Sequence, residues 1–261
     1  MKAEAQAFFS AVQFLTRLPT PGWTGWEAGR LDRAMPHFVL VGGIIGALCG
    51  AVYLIASMAL TPPVAALLAL GAGIVTTGAL HEDGLADFAD GLGTHDPVRA
   101  LAIMKDSHIG AFGVIALIVV LGIKVSTLAT MSPLYGAAAL IGAHGLSRAW
   151  LYPTVKALDY ARDPEDAKVA PISRSIRTGE WVRVVVFVAL TLLPVILVAL
   201  DTDPRRLMAC ALALVLTTLA MQATVSVMRR RFGGWTGDTL GAQQQLTETA
   251  FLTGASAWTF I

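Results

Sequence analysis

Charge is what this sequence of 261 residues has least of: 14% of it is Asp, Glu, Lys or Arg, while 55% is hydrophobic. An ordinary soluble domain carries roughly 25% charged residues, so the scarcity excludes a fold kept in water by its surface. Cysteine is nearly absent. Cys49 and Cys210 each lie inside an apolar run, where a thiol acts as a small hydrophobe, and this excludes a disulfide framework or a thiolate metal centre. The formal net charge is +1. With no excess of either sign there is no global field to attract nucleic acid, and none is expected as a partner.

What the sequence has instead is apolar length. Runs of about 19 to 23 residues recur, matching the ~20 helical residues that cross ~30 Å of hydrocarbon. Candidate spans are 38–60, 62–80, 109–130, 133–152, 182–200, 207–228 and a weaker 247–261. Longer polar segments, 81–108, 153–181 and 229–246, separate them. Thr61 is nearly all that lies between the first two spans, and Pro62 and Pro63 suit the opening turn of a helix, so these two form a tight hairpin. Before the first span, Phe8, Val12 and Leu15 recur at helical spacing among Gln6, Ser10 and Gln13. This pattern reads as an interfacial helix over 4–18, not as a signal peptide. The expected architecture is all-α: a polytopic membrane bundle of six or seven spanning helices plus this N-terminal helix, in a single domain over 1–261.

Basic residues give the orientation. Fifteen of the 19 Lys and Arg residues fall on the side that holds the three polar segments, and only Arg205 and Arg206 fall on the other. Because basic residues are retained in cytoplasmic loops, that side is expected to face the cytoplasm. Lys124 and Arg148 lie inside spans but toward their ends, where long side chains can snorkel.

The densest polar chemistry is His81-Glu82-Asp83-Gly84-Leu85-Ala86-Asp87-Phe88-Ala89-Asp90-Gly91. On a helix Asp83, Asp87 and Asp90 fall at i, i+4 and i+7, on one face. Such a stripe repels itself unless a cation joins it. Glu82, Asp83, Asp87 and Asp90 are therefore candidate ligands, and an all-oxygen set suits Mg²⁺ or Mn²⁺. A solvated acidic helix end is the plainer alternative. His81 fits either an interfacial side chain or a group that orients a carboxylate or a phosphate.

Three further groups follow along the chain. Lys105, Asp106 and Ser107 precede a span, where they suit a phosphate and a metal ligand set. His144 and Arg148 share a helix face. A central, unpaired guanidinium there costs about 2.5–3.5 kcal/mol on insertion scales, so Arg148 should face the interior and pair with a carboxylate, the 81–90 cluster being the nearest source, or bind an anion, or else snorkel. Last comes Gly233-Gly234-Trp235-Thr236-Gly237-Asp238, whose glycines allow a phosphate to approach the backbone and whose Asp238 can ligate metal or act as a base.

Taken together, these motifs resemble the cobalamin synthase family, the adenosylcobinamide-GDP ribazoletransferases. The resemblance runs in order from Phe14-Leu15-Thr16-Arg17-Leu18-Pro19 through His81 to Gly91, Ile103-Met104-Lys105-Asp106-Ser107 and Leu146-Ser147-Arg148 to Gly233 through Ala242. Two departures stand out: Asp163-Pro164-Glu165-Asp166-Ala167-Lys168 replaces a glycine-containing stretch after Asp159-Tyr160-Ala161-Arg162, and His108 stands where many relatives have Arg. The resemblance implies a Mg²⁺-dependent transfer in the bacterial inner membrane, with the site facing the cytoplasm. In it α-ribazole or its 5′-phosphate displaces GMP from adenosylcobinamide-GDP. Asp83, Asp87 and Asp238 would be catalytic, and His81, Lys105, Asp106, Ser107, Arg148 and Gly237 would bind substrate.

Two other classes fit less well. A CDP-alcohol-type phosphotransferase needs an Asp three residues before Asp83 and an Ala-Arg pair further on, but the chain has Leu80 and Asp87-Phe88. An ion-coupled transporter would carry its acids near the bilayer midplane, and here they follow the end of a span.

Overall fold

The apolar runs fold as helices, the form in which a chain satisfies its own backbone in lipid. A computed structural model describes residues 2–25, 30–162 and 178–258. Its helices are α1 (Lys2–Leu15), α2 (Arg30–Ala34), α3 (Phe38–Ser57), α4 (Pro62–Thr77), α5 (Leu80–Gly91) and α6 (Pro97–Ile103). They continue with α7 (Ala111–Ala129), α8 (Pro133–Ala149), α9 (Leu151–Ala157), α10 (Thr178–Thr202), α11 (Pro204–Val227) and α12 (Gly237–Ala255). Among the described residues, four stretches are long and apolar enough to cross a membrane: Leu31–Ser57, Ala111–Ala129, Gly179–Thr202 and Arg205–Phe232. Helices α4 and α5 pass that test only together, bent by 92°.

The bend corrects the expected span 62–80, which ends at Thr77. Gly78 (φ 68°) and Ala79 (φ 60°) are both left-handed and stop the helix. The N-terminal Phe14–Pro19 motif secures this corner. The Arg17 amide donates to the Thr76 carbonyl at 2.8 Å, and the Arg17 side chain packs against Gly78, where a Cβ would meet its Nε at 2.0 Å. The chain therefore leaves α4 sideways, and α5 lies across the end of the bundle instead of continuing into a loop.

Helices α3 and α8 meet along Gly42, Gly46 and Gly50, where added Cβ atoms would lie 2.3, 2.5 and 2.9 Å from the carbonyl oxygens of His144, Leu140 and Ala137. Small residues every fourth position let helix backbones touch, which is how helices associate without a hydrophobic driving force. This contact presents His144 and Arg148 of α8 to the interior.

The last helix departs most from the sequence reading. The segment 229–246 is not a polar loop, because a π turn, Met228–Phe232, leads through a short connection into α12 at Gly237, ten residues before the expected start. Thr236 caps α12 through a reciprocal Thr236–Thr239 capping box. Gln243, Gln244 and Gln245 are all buried. Successive helical residues point about 100° apart, and a helix that is polar around its circumference has to be enclosed by protein rather than lipid. Gln243 donates to the Trp150 carbonyl and Thr154 Oγ1 (3.1 and 2.9 Å), Gln244 to Ser147 Oγ (3.1 Å), and Gln245 to Glu82 Oε1 (3.0 Å). Helix α12 is thus a central post fastened to α8, α9 and α5.

The polar segments gather at one end. Arg231 donates to the carbonyls of Leu92 and Thr94 beyond α5, and Tyr160 bridges to Trp235, the Trp235 amide donating to the Asp159 carbonyl at 2.8 Å. Residues 81–108, 153–162 and 229–238 therefore share a side of the bundle, while 239–246 run into its interior on α12. The departure at 163–168 lies outside the described residues.

Candidate active site

Two helix ends build the site. Gly84 of α5 lies against the start of α12, where an added Cβ would come 2.7 Å from the Asp238 carbonyl oxygen and 3.2 Å from the Gly241 Cα. This contact brings the first turn of α12, with Asp238, beside the acidic face of α5. Asp83 is exposed and Asp87 half-buried. Burial, with the Asp238 and Asp83 carboxylates beside it, pushes the Asp87 carboxyl up to about 7, against the opposing pull of Arg162. Arg162 donates to Asp238 Oδ2 at 2.7 Å. Three carboxylates and a guanidinium thus come from three segments distant in sequence, and Asp83, Asp87 and Asp238 form one electrostatic group.

Asp90, the third member of the expected stripe, is turned away. Its Oδ2 accepts from the Gly110 amide at 2.7 Å and its Oδ1 from the Gly113 amide at 2.9 Å. A carboxylate there satisfies otherwise unpaired amides and complements the positive end of α7. Glu82 points inward to Gln245. The expectation that Asp83, Asp87 and Asp90 converge on a shared ion is therefore corrected, the physical reason being the helix terminus that claims Asp90. Among the described residues no three His, Cys, Asp or Glu side chains are arranged as a metal cage.

The other expected residues divide. Lys105, Asp106 and Ser107 are exposed on the loop after α6, and Asp106 Oδ1 pairs with His108 Nδ1 at 2.6 Å. Gly237 is the exposed first residue of α12, and an added Cβ there would meet nothing within 4 Å. His81 and Arg148 face an interior cavity that Glu82, Lys124, His144, Gln245 and Glu248 also line.

That cavity holds what the sequence did not disclose. Arg148 is 2% exposed, but its partner is Glu248 of α12 at 3.8 Å rather than Asp83 or Asp87. Lys124, expected to snorkel, is 1% exposed and donates to Gln245 Oε1 (2.6 Å) and Glu248 Oε1 (2.7 Å). His144 Nδ1 lies 3.0 Å from Glu248 Oε2. The available clue was Lys124 itself, whose burial in lipid or protein demands a carboxylate partner, and Glu248 lies in the weakest expected span.

Known proteins are similar to this sequence from end to end of the bundle. The chain matches the cobalamin-5-phosphate synthase family over residues 7–256. The adenosylcobinamide-GDP ribazoletransferase of Leptothrix cholodnii is 38% identical over 98% of this chain and 97% of its own length. The proteins of the same name from Shewanella frigidimarina (37%, covering 92% of this chain and 90% of the relative) and Albidiferax ferrireducens (37%, 95% and 96%) are similar to it as well. No solved structure matches. The matched span runs from α1 to the end of α12 and so takes in the α4–α5 corner, the acid group and the interior charges alike: the chain belongs to the cobalamin-5-phosphate synthase family.

Proposed function

We propose that this chain is an adenosylcobinamide-GDP ribazoletransferase, joining adenosylcobinamide phosphate to α-ribazole or its 5′-phosphate with release of GMP. The observation that carries the reading, beside family membership, is the acid group of Asp83, Asp87 and Asp238 assembled where α5 crosses the start of α12. Its donors are all oxygen and its like charges raise one another's affinity for cations. That chemistry fits Mg²⁺, with Mn²⁺ as a substitute: such an ion is commonly bound by one or two carboxylates together with water and substrate phosphates rather than by a closed protein cage, so Asp87 and Asp238 would hold it with the Asp83 carboxylate beside them. When bound, the ion neutralises diphosphate oxygens.

The chain's own residues supply the rest. Asp238 or Asp87 accepts the proton of the attacking ribose hydroxyl at a carboxylate oxygen. Arg162, held beside Asp238, offers its guanidinium to a phosphate oxygen, a contact that planar donors favour. The Gly237 amide, opening α12, stands at a positive helix end in open space, suited to the departing nucleotide phosphate. Lys105 adds positive charge on the adjoining loop. Purified protein in lipid nanodiscs, given adenosylcobinamide-GDP, α-ribazole and Mg²⁺, is expected to release GMP and form cobalamin in equal amounts. GMP without cobalamin, or neither product, would reject the assignment.

The site faces the cytoplasm of a bacterial inner membrane in this reading, because its end of the bundle carries the basic excess. In intact cells an impermeant thiol reagent is expected to label Arg205→Cys and to spare His95→Cys until the membrane is opened. The opposite pattern would invert the topology.

A further inference from the structure

We infer that Glu82 is a positioning residue, not a metal ligand: it ties the acid-bearing helix α5 to the interior charge network, and so sets where Asp83 and Asp87 stand relative to Asp238. The inference rests on the proposed acid site, and it assigns Glu82 a role opposite to the one its neighbours in sequence suggest.

Glu82 precedes Asp83 by one residue, which on a helix turns it about 100° away from the acid face. It lines the interior cavity with Lys124, His144, Arg148, Gln245 and Glu248. Its Oε1 accepts from Gln245 Nε2 at 3.0 Å, and Arg148 feels its charge next after that of Glu248. Gln245 is held in turn, its Oε1 accepting from Lys124 Nζ at 2.6 Å and its Nε2 reaching Gln244 Oε1 at 3.0 Å. Glu248 fixes Lys124, His144 and Arg148. The network holds two cations, Lys124 and Arg148, and two carboxylates, Glu248 and Glu82. With neutral histidines it is charge-balanced only if Glu82 belongs to it. A buried ion group needs that balance, so Glu82 bound to a metal ion outside would leave the interior one positive charge in excess.

Elsewhere α5 is anchored to α12 by the Gly84 contact, which blocks approach but does not hold rotation. Asp90, bonded to the Gly110 and Gly113 amides, fixes the far end of α5 against α7, and the Glu82–Gln245 bond fixes its first turn, which carries Asp83, against α12. A helix turned by a fraction of a step moves Asp83 and Asp87 away from Asp238, and an ångström of misplacement is enough to slow catalysis.

A reciprocal exchange tests this. Glu82→Gln keeps an acceptor for Gln245, so Mn²⁺ affinity, read by electron paramagnetic resonance on the lipid-embedded protein, should stay within about threefold of wild type while the melting temperature falls. Gln245→Glu sets two carboxylates against each other. It should lower Mn²⁺ affinity and kcat by about tenfold or more, the scale seen when a supporting partner of a metal site is lost. The double variant E82Q/Q245E restores both the hydrogen bond and the charge count, and should return affinity, kcat and melting temperature to within about threefold of wild type. The inference is overturned if E82Q alone loses tenfold or more of its Mn²⁺ affinity and the double variant fails to recover it, or if Q245E behaves as wild type. Should Q245E not fold, the Mn²⁺ affinity of E82Q still decides between ligand and tie. No Mn²⁺ binding by the wild-type chain would strike at the metal reading instead, and the kcat and melting pattern of the three variants would then judge the tie.

Discussion

Glu248→Gln is expected to destabilise the folded bundle by about 3–5 kcal/mol, the range for breaking a buried ion pair at one partner. Glu248 is 2% exposed and receives Lys124 at 2.7 Å, His144 at 3.0 Å, Arg148 at 3.8 Å and the Gln244 amide. The neutral amide keeps the volume but leaves Lys124 without a counter-charge in a place water does not reach. Glu82 still offsets part of the Arg148 charge, so the effect falls chiefly on Lys124. Adding Lys124→Met should therefore recover a substantial part of the loss. The measurement is the thermal unfolding midpoint in a fixed detergent, with Asp83→Asn as a control, since that carboxylate is exposed. If Glu248→Gln melts with the wild type, Glu248 is not the centre of the interior.

How much of this was legible in the sequence depends on whether the signal was local. The apolar runs are local, and among the described residues each falls on a helix, although α4 stops at Thr77 and α12 begins at Gly237. The stripe in 81–90 is local as well, and it forms the amphipathic α5. The energy of a charge in hydrocarbon leaves Arg148 either the interior or a snorkelling position, and the nearest acidic cluster in sequence suggests a partner that it does not have. Its partner is Glu248, which lies 100 residues further along. Nothing in the spacing of either residue encodes that contact, and hydropathy obscures it, because a helix carrying Gln243, Gln244, Gln245 and Glu248 reads as a loop unless its neighbours are known. Asp90 shows the converse. Its place on the stripe was right, yet the start of α7 competes for its carboxylate, a competition between segments that periodicity does not register. Arg162 was noted for its motif, and its bond to Asp238 arises only because Tyr160 and Trp235 bring their backbones together.

Asp87→Asn is expected to reduce turnover by about a thousandfold, the size of effect seen when a preorganised electrostatic group is removed from a phosphoryl-transfer or acyl-transfer site. Asp87 is chosen over Asp83 because it is half-buried and stands closest in charge to both partners, as its raised carboxyl shows: burial first, then Asp238 and Asp83, push it up to about 7. The sign of the pH dependence follows. In the metal-free folded chain Asp87 keeps its proton up to about 7, whereas in the unfolded chain it loses it near the ordinary carboxylate value of 3.8. The folded state thus binds more protons between these values, and Asp87's contribution to stability declines as pH rises across that window. A divalent cation must displace the proton, so Mn²⁺ affinity should fall by up to about tenfold for each pH unit below 7 and level off above it. Electron paramagnetic resonance titrations at pH 6 and pH 8 are expected to differ by about tenfold in the wild type. Asp87→Asn, which has no proton to lose, should bind weakly at both and show a flat profile. A variant that keeps the wild-type slope would place the titrating group elsewhere, and one that keeps wild-type turnover at saturating Mg²⁺ would remove Asp87 from the site.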